Sequence, residues 1–252
     1  MLISELDRYC RGFLQIGDFE RIDASLNGLQ VGRKGKEVSR IAFAVDACLE
    51  TMERAVRGGA DTLFVHHGIF WGKPIPVTGV QYERIAFLAK HDLCLYAVHL
   101  PLDAHPEVGN NAALAEMLGL EQREPFGLHK GTKIGFKGVF PEPLGIEEIL
   151  TILKIGHGEA TILPFGKERM KTVGLIAGSA AHEVEQAIEE ELDLYVTGES
   201  SHSIYHLCLE AKINMIAGGH YNTEVWGVKK LAERVSKELM LPTFFIDVPS
   251  GL

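Results

Sequence analysis

The chain has 252 residues, of which 46% are apolar and 23% charged, a composition that excludes a disordered, collagenous or coiled-coil protein. Its 25 basic residues against 34 acidic ones leave a net charge of −9 with histidine neutral, which argues against a protein that works by neutralising nucleic-acid phosphates. Four widely spaced cysteines, Cys10, Cys48, Cys94 and Cys208, include no Cys-x-x-Cys pair, so a disulfide framework and a thiolate zinc site are both excluded.

Between Met1 and Phe13, Glu5, Asp7 and Arg8 interrupt the apolar residues, so the segment is not a signal peptide. No window approaches the ~20 apolar residues of a membrane span. Free thiols and no leader predict a cytoplasmic protein with no membrane partner. Leu2, Leu6, Tyr9, Cys10, Phe13 and Leu14 fall at helical spacing, which predicts an opening helix. Short apolar runs then alternate with amphipathic stretches. Ile41–Val45, Thr62–Val65 and Leu93–Val98 read as strands; Leu49–Arg57, Glu83–Lys90 and Asn111–Leu118 read as helices. Residues 121–171 are rich in Gly and Pro and read as a hairpin plus one helix, Ile146–Ile155. The scheme then repeats, with strands at Val173–Ala177, Leu194–Thr197, Ile213–Ala217 and Phe244–Val248. The helices between them are His182–Glu191, Ser203–Ala211 and Glu224–Leu239. Such alternation predicts an α/β protein. Two similar α/β lobes with mixed, largely parallel sheets, residues 1–125 and 171–252, flank a connector at 126–170 and form one compact unit.

The lobes resemble each other in sequence. Asp61-Thr62-Leu63-Phe64-Val65-His66-His67-Gly68 matches Asp193-Leu194-Tyr195-Val196-Thr197-Gly198-Glu199-Ser200 at a displacement of 132 residues. One strand later, His99-Leu100-Pro101-Leu102-Asp103 matches His220-Tyr221-Asn222-Thr223-Glu224 at a displacement of 121.

In open α/β sheets ligands bind beyond the carboxyl ends of the strands. Four such ends here carry imidazole or carboxylate: His66-His67, His99 with Asp103, Glu199 with His202, and His220 with Glu224. Imidazole and carboxylate without thiolate suit Zn, Mn, Fe, Co or Ni, which predicts a metal site in the cleft between the lobes. Successive side chains on a strand face opposite ways, but a turn at the strand end lets each of two adjacent histidines serve one of two ions. Two ions about 3.5–4 Å apart need a bridging carboxylate, for which Glu224 is the candidate. His99 is placed to ligate or to hydrogen-bond in the second layer around the ions. Glu199 and His202 are candidate proton carriers. No GxxxxGK[ST] phosphate loop occurs, so an ATPase or GTPase of that type is unsupported.

Several motifs together carry a resemblance. They are Asn27-Gly28-Leu29-Gln30-Val31-Gly32, His66-His67-Gly68-Ile69-Phe70-Trp71, His99-Leu100-Pro101-Leu102-Asp103 followed by Gly109-Asn110-Asn111, and Gly219-His220-Tyr221-Asn222-Thr223-Glu224. In this order they resemble the Ngg-interacting-factor-three-like family, also called GTP cyclohydrolase 1 type 2 homologues, over essentially the whole chain. The resemblance implies a dinuclear site on His66, His67, Asp103, His220 and Glu224, with Glu224 bridging. It also implies a two-lobed α/β fold and a ring-like homohexamer whose metal sites face an internal cavity. The expected function is a metal-dependent hydrolase, with two divalent ions per subunit, acting on a nucleotide-like or phosphate-containing small molecule such as GTP. The alternative is a non-catalytic metal-binding or metal-delivering scaffold that acts through protein partners. DNA binding in a ring cavity would need Arg33, Lys34 and Lys36 gathered on one face, against the net charge.

Overall fold

A computed structural model describes residues 1–252. The chain divides into two units, Met1–Leu102 with Val228–Val248, and Asp103–Gly227 with Pro249–Leu252. This division differs from lobes at 1–125 and 171–252. The segment 126–170 is no separate connector, because its strands pair into the second sheet, and the last strand pairs into the first.

The first unit opens with α1 (Ile3–Phe13) and builds its sheet from β1 (Gly28–Val31), β2 (Ile41–Asp46), β3 (Thr62–His67) and β4 (Cys94–Ala97). Helices α2 (Leu49–Arg57) and α3 (Gly79–Lys90) cross between the parallel strands. β11 (Thr243–Phe245) completes the order β1-β4-β3-β2-β11, in which only β1 runs antiparallel. β2, β3 and β4 are almost wholly buried, as strands covered on both faces must be. On one face Ala42, Ala44, Leu63, Val65 and Leu95 pack with Met52, Ala55 and Leu88 of the crossover helices. On the other, Phe43, Phe64 and Tyr96 stack across the strands at 5.0 and 5.1 Å between ring centroids, and the Tyr96 hydroxyl donates to Asp7 of α1 at 2.9 Å.

The second unit starts within the short α4 (Leu100–Ala104), continues through α5 (Asn110–Met117), and forms a hairpin from β5 (Glu121–His129) and β6 (Thr132–Leu144). Then come α6 (Ile146–Leu153), β7 (Thr161–Pro164), β8 (Met170–Leu175), α7 (Val184–Glu189), β9 (Leu194–Thr197), α8 (Tyr205–Ala211) and β10 (Asn214–Ala217). Its sheet has the order β5-β6-β8-β9-β10-β7, a parallel β8-β9-β10 centre between antiparallel flanks. Leu114, Phe140, Leu150, Val173, Val196 and Ile216 lie at its core. The final helix, α9 (His220–Leu239), counts with the second unit up to Gly227 and with the first from Val228. No helix is long and apolar enough to cross a membrane.

The internal repeat is visible strand by strand. Ile41 pairs with Thr62 and Phe43 with Phe64 in the first unit, as Val173 pairs with Leu194 and Leu175 with Val196 in the second. Every one of these residues is displaced by 132. The aspartates that open both matches do the same work: Asp61 accepts from the backbone N–H groups of Ser39 and Arg40, and Asp193 from those of Lys171 and Thr172. The third strand corrects the alignment by one residue. Thr62 pairs with Cys94 and Leu194 with Asn214, a displacement of 120, and the following helices begin at Leu100 and His220. His220 therefore corresponds to Leu100 and Thr223 to Asp103; matching His99 to His220 needs an inserted residue that neither the strands nor the helix starts contain.

Candidate metal centre

In the first unit, parallel pairing brings the carboxyl ends of β2, β3 and β4 to one edge. There Asp46 ends β2 and lies in register with His67, the last residue of β3. His66 is fully buried, and its Nδ1 donates to the Val98 carbonyl at 2.9 Å. A carbonyl can only accept, so the proton of the neutral ring is on Nδ1 and the lone pair on Nε2. His67 donates from Nδ1 to Asp46 Oδ1 at 2.8 Å, and His99 from Nδ1 to Asp23 Oδ1 at 2.9 Å. The ring centroids of His66, His67 and His99 are 4.6 to 5.7 Å apart, and one ligand atom from each lies within 4.8 Å of the others. Strand alternation would have split His66 from His67; the end of β3 lets both rings converge.

Asp23 and Asn27 hold His99 from behind. The Asp23 carboxylate also accepts from Ser25 N, Asn27 Nδ2 and Leu100 N, while Asn27 Oδ1 accepts from His99 N. Burial alone would raise the Asp23 pKa, but the His99 imidazole and these donors outweigh it and hold the carboxyl below its usual value. Gln30 braces the next loop by accepting from Ile69 N, and a Cβ on Gly68 would come within 2.3 Å of the Gln30 amide. The Asn27–Gln30 motif is thus scaffolding for the histidine loops. Trp71, the last residue of the double-histidine motif, sets its ring edge-on to His99 at 5.1 Å.

In the second unit, His220 and Glu224 share one face of α9 at i and i+4, with His220 Nε2 3.1 Å from Glu224 Oε2. Asp103 and Glu224 are buried, at 5% and 2% exposure, and each offers a carboxylate oxygen within 4.8 Å of the other's. Glu199 ends the turn after β9 and accepts from His220 Nδ1 at 2.5 Å and from Ser179 Oγ at 3.0 Å. The His220 bond is the main cause that lowers the Glu199 pKa, with burial opposing it. Gly178 has φ +70°, and an added Cβ there would sit 2.2 Å from Glu224 Oε1. Only glycine lets the backbone cradle that carboxylate so closely. His202 is exposed at the start of the turn before α8 and bonds to neither His220 nor Glu224.

The protein therefore carries clusters of residues able to hold a metal ion, and the donor chemistry fits one. Each histidine's Nδ1 is engaged by a carboxylate or carbonyl, the arrangement that orients metal-ligating imidazoles. Two buried carboxylates this close repel each other, a cost that a divalent cation offsets. Sequence reasoning missed Asp46 and Asp23, and it quoted Asn27 in a motif without its place behind His99. Asp46, a lone carboxylate closing an apolar strand, was the one legible signal.

Residues 1–250 match the family described as Duf34/NIF3 (NGG1p interacting factor 3). The chain belongs to the DUF34/NIF3 family. Proteins from Treponema pallidum and Pyrococcus abyssi, both named GTP cyclohydrolase 1 type 2 homolog, are 41% and 44% identical to it over 100% of this chain, covering 100% and 98% of their own. Among solved structures, TTHA1606 from Thermus thermophilus superposes with a TM-score of 0.89 at 39% identity, and protein ybgI with 0.91 at 31%; each covers 100% of both chains. The mixed α/β fold with two sheets is thus the DUF34/NIF3 fold.

Proposed function

We propose that the protein is a dinuclear-metal hydrolase of a nucleotide-like or phosphate-containing small molecule, with His66, His67, Asp103, His220 and Glu224 as ligands to two divalent ions drawn from Zn, Mn, Fe, Co or Ni. The observation that supports it best is the fixing of the imidazoles: Val98 O holds His66, Asp46 holds His67 and Glu199 holds His220, each through Nδ1. Three rings whose Nδ1 is held by an acceptor leave Nε2 as the open donor, which supports ligation over general packing. Ions held on these donors would supply Lewis acidity, lowering the pKa of a coordinated water toward neutrality. The chain's own residues do the rest. Glu224, one methylene longer than Asp103, would be the carboxylate that holds both ions, while His99 would stay in the surrounding layer on Asp23. Glu199 and His202 are the proposed proton carriers, and only Glu199 touches a ligand.

A ring-like homohexamer in the cytoplasm completes the reading. Four free cysteines suit a reducing compartment, and the charge of −9 argues against a nucleic-acid partner. The test is turnover. Protein loaded with Mn, Zn or Fe is screened against nucleotides and phosphoesters, with GTP first because the relatives carry its name. Hydrolysis that disappears in Glu224→Gln is the expected result. Metal binding with no turnover of any compound would assign the protein instead to the metal-binding or metal-delivering scaffolds.

A further inference from the structure

We propose that Asn110 is a positioning residue that locks the Asp103 carboxylate to the helix carrying His220 and Glu224; this rests on Asp103 being a metal ligand. Asn110 opens α5 and is fully buried. Its Nδ2 donates to Asp103 Oδ1 at 2.9 Å, and its Oδ1 accepts from the backbone N–H of Gly227 in α9 at 2.9 Å. One planar amide therefore fixes the separation between a carboxylate near the unit's start and a helix three residues past Glu224. With Oδ1 held by an N–H donor, the carboxylate cannot rotate without losing a buried hydrogen bond.

Gly227 shows that the approach is required. Glycine inside a helix costs about 1 kcal/mol relative to alanine, yet a Cβ at 227 would lie 2.4 Å from Asn110 Oδ1. The neighbouring Asn111 marks the contrast. It is equally buried, but its amide bonds to the carbonyls of Asp103 and Ile134 and to Ala177 N. Asn111 ties backbone together; Asn110 ties a side chain to the helix that bears the other donors. Removing a partner of this kind from behind a metal ligand lowers affinity by roughly 10–100-fold.

A merely structural role, clamping α5 to α9, would also make Asn110 important, so the test is a double-mutant cycle read by metal affinity rather than activity. Mn2+ binding is measured by titration calorimetry, with thermal melting alongside, for the full-length wild type, Asn110→Ser, Asp103→Ala and the double variant. Asn110→Ser should weaken one of the two bound ions roughly 10–100-fold. In the Asp103→Ala background it should change the remaining ion's affinity by less than about two-fold, because the carboxylate it positions is gone. Gly227→Ala, which gains helix propensity while pushing the amide aside, should reproduce both results and serves if Asn110→Ser does not fold. Equal losses in both backgrounds, or no loss in the first, overturn the inference alone. A wild type that binds no Mn2+ overturns the metal reading and the inference with it.

Discussion

At the scale of single residues, Asp61 and Asp193 show what a repeated side chain is for. Each sits one residue before a central strand and accepts backbone N–H groups at the start of the preceding strand or just ahead of it, which fixes the register of the parallel pair. Asp193 also takes Lys167 Nζ at 2.6 Å. Burial raises its pKa, but Lys167 and the two N–H donors together outweigh burial and lower it. A carboxyl with a depressed folded pKa contributes stability that is fully present above its unfolded pKa, about 3.9, and is lost as pH falls through the folded value. Wild type should therefore exceed Asp193→Asn in urea midpoint at pH 7, and the gap should narrow below pH ~4. A gap of the same size at pH 7 and pH 3 would show that shape rather than charge holds the strand. That Asp193 begins the sequence match at displacement 132 was legible; that its partners lie 21 and 22 residues back, on the far side of α7, was not, because hydrogen bonds to distant backbone leave no local pattern.

At the scale of elements, legibility followed locality. The helix Leu49–Arg57 is observed at the residues read from its spacing, and Leu194–Thr197 is likewise a strand at those positions. The apolar run and its flanking polar residues decide both within ten residues. β1 was hidden because it is only four residues long and opens on Gly28 directly after Asn27, and its strand character comes only from pairing with β4. β7 was hidden for the same reason: it ends in Pro164 and exists as an edge partner of β10. β11 read as a strand, but its place beside β2, some two hundred residues earlier, is set by packing alone. The imidazoles and carboxylates proposed as donors were legible because the segments that follow strands concentrate them, whereas the residues holding them lie on loops and on a neighbouring strand end. The Phe43–Phe64–Tyr96 stack packs one face of three adjacent strands whose ends the parallel pairing aligns. Phe64 is fully buried at its centre, so Phe64→Ala should cost about 3–5 kcal/mol in urea unfolding. A loss below about 1 kcal/mol would mean that the layer does not depend on the stack.

At the scale of the whole molecule, the proposed ligands divide between the two units: His66 and His67 belong to the first, Asp103, His220 and Glu224 to the second. If two ions draw on both sets, metal binds the folded chain and not the unfolded one. It then stabilises the fold by about 2.7 kcal/mol at a concentration a hundred times the Kd. For a chain of this size that is a rise in melting temperature of roughly 5–10 °C. Mn2+ added to chelator-stripped protein should produce this rise, with two ions per chain by elemental analysis. Asp103→Ala should keep one ion and part of the rise, because the proposal makes Asp103 a ligand to one ion alone. Glu224→Ala in the second unit and His67→Ala in the first should each lose most of it, because each removes a donor that the pair of ions shares or cannot replace. Light scattering of the same variants should show the same assembly as the wild type, because the proposal turns these side chains to ions and not to a subunit contact. If instead each unit bound an ion on its own, Glu224→Ala would retain the contribution of His66, His67 and His99, and His67→Ala that of Asp103, His220 and Glu224. Two half-sized rises would then replace two losses, and the shared dinuclear centre would be excluded.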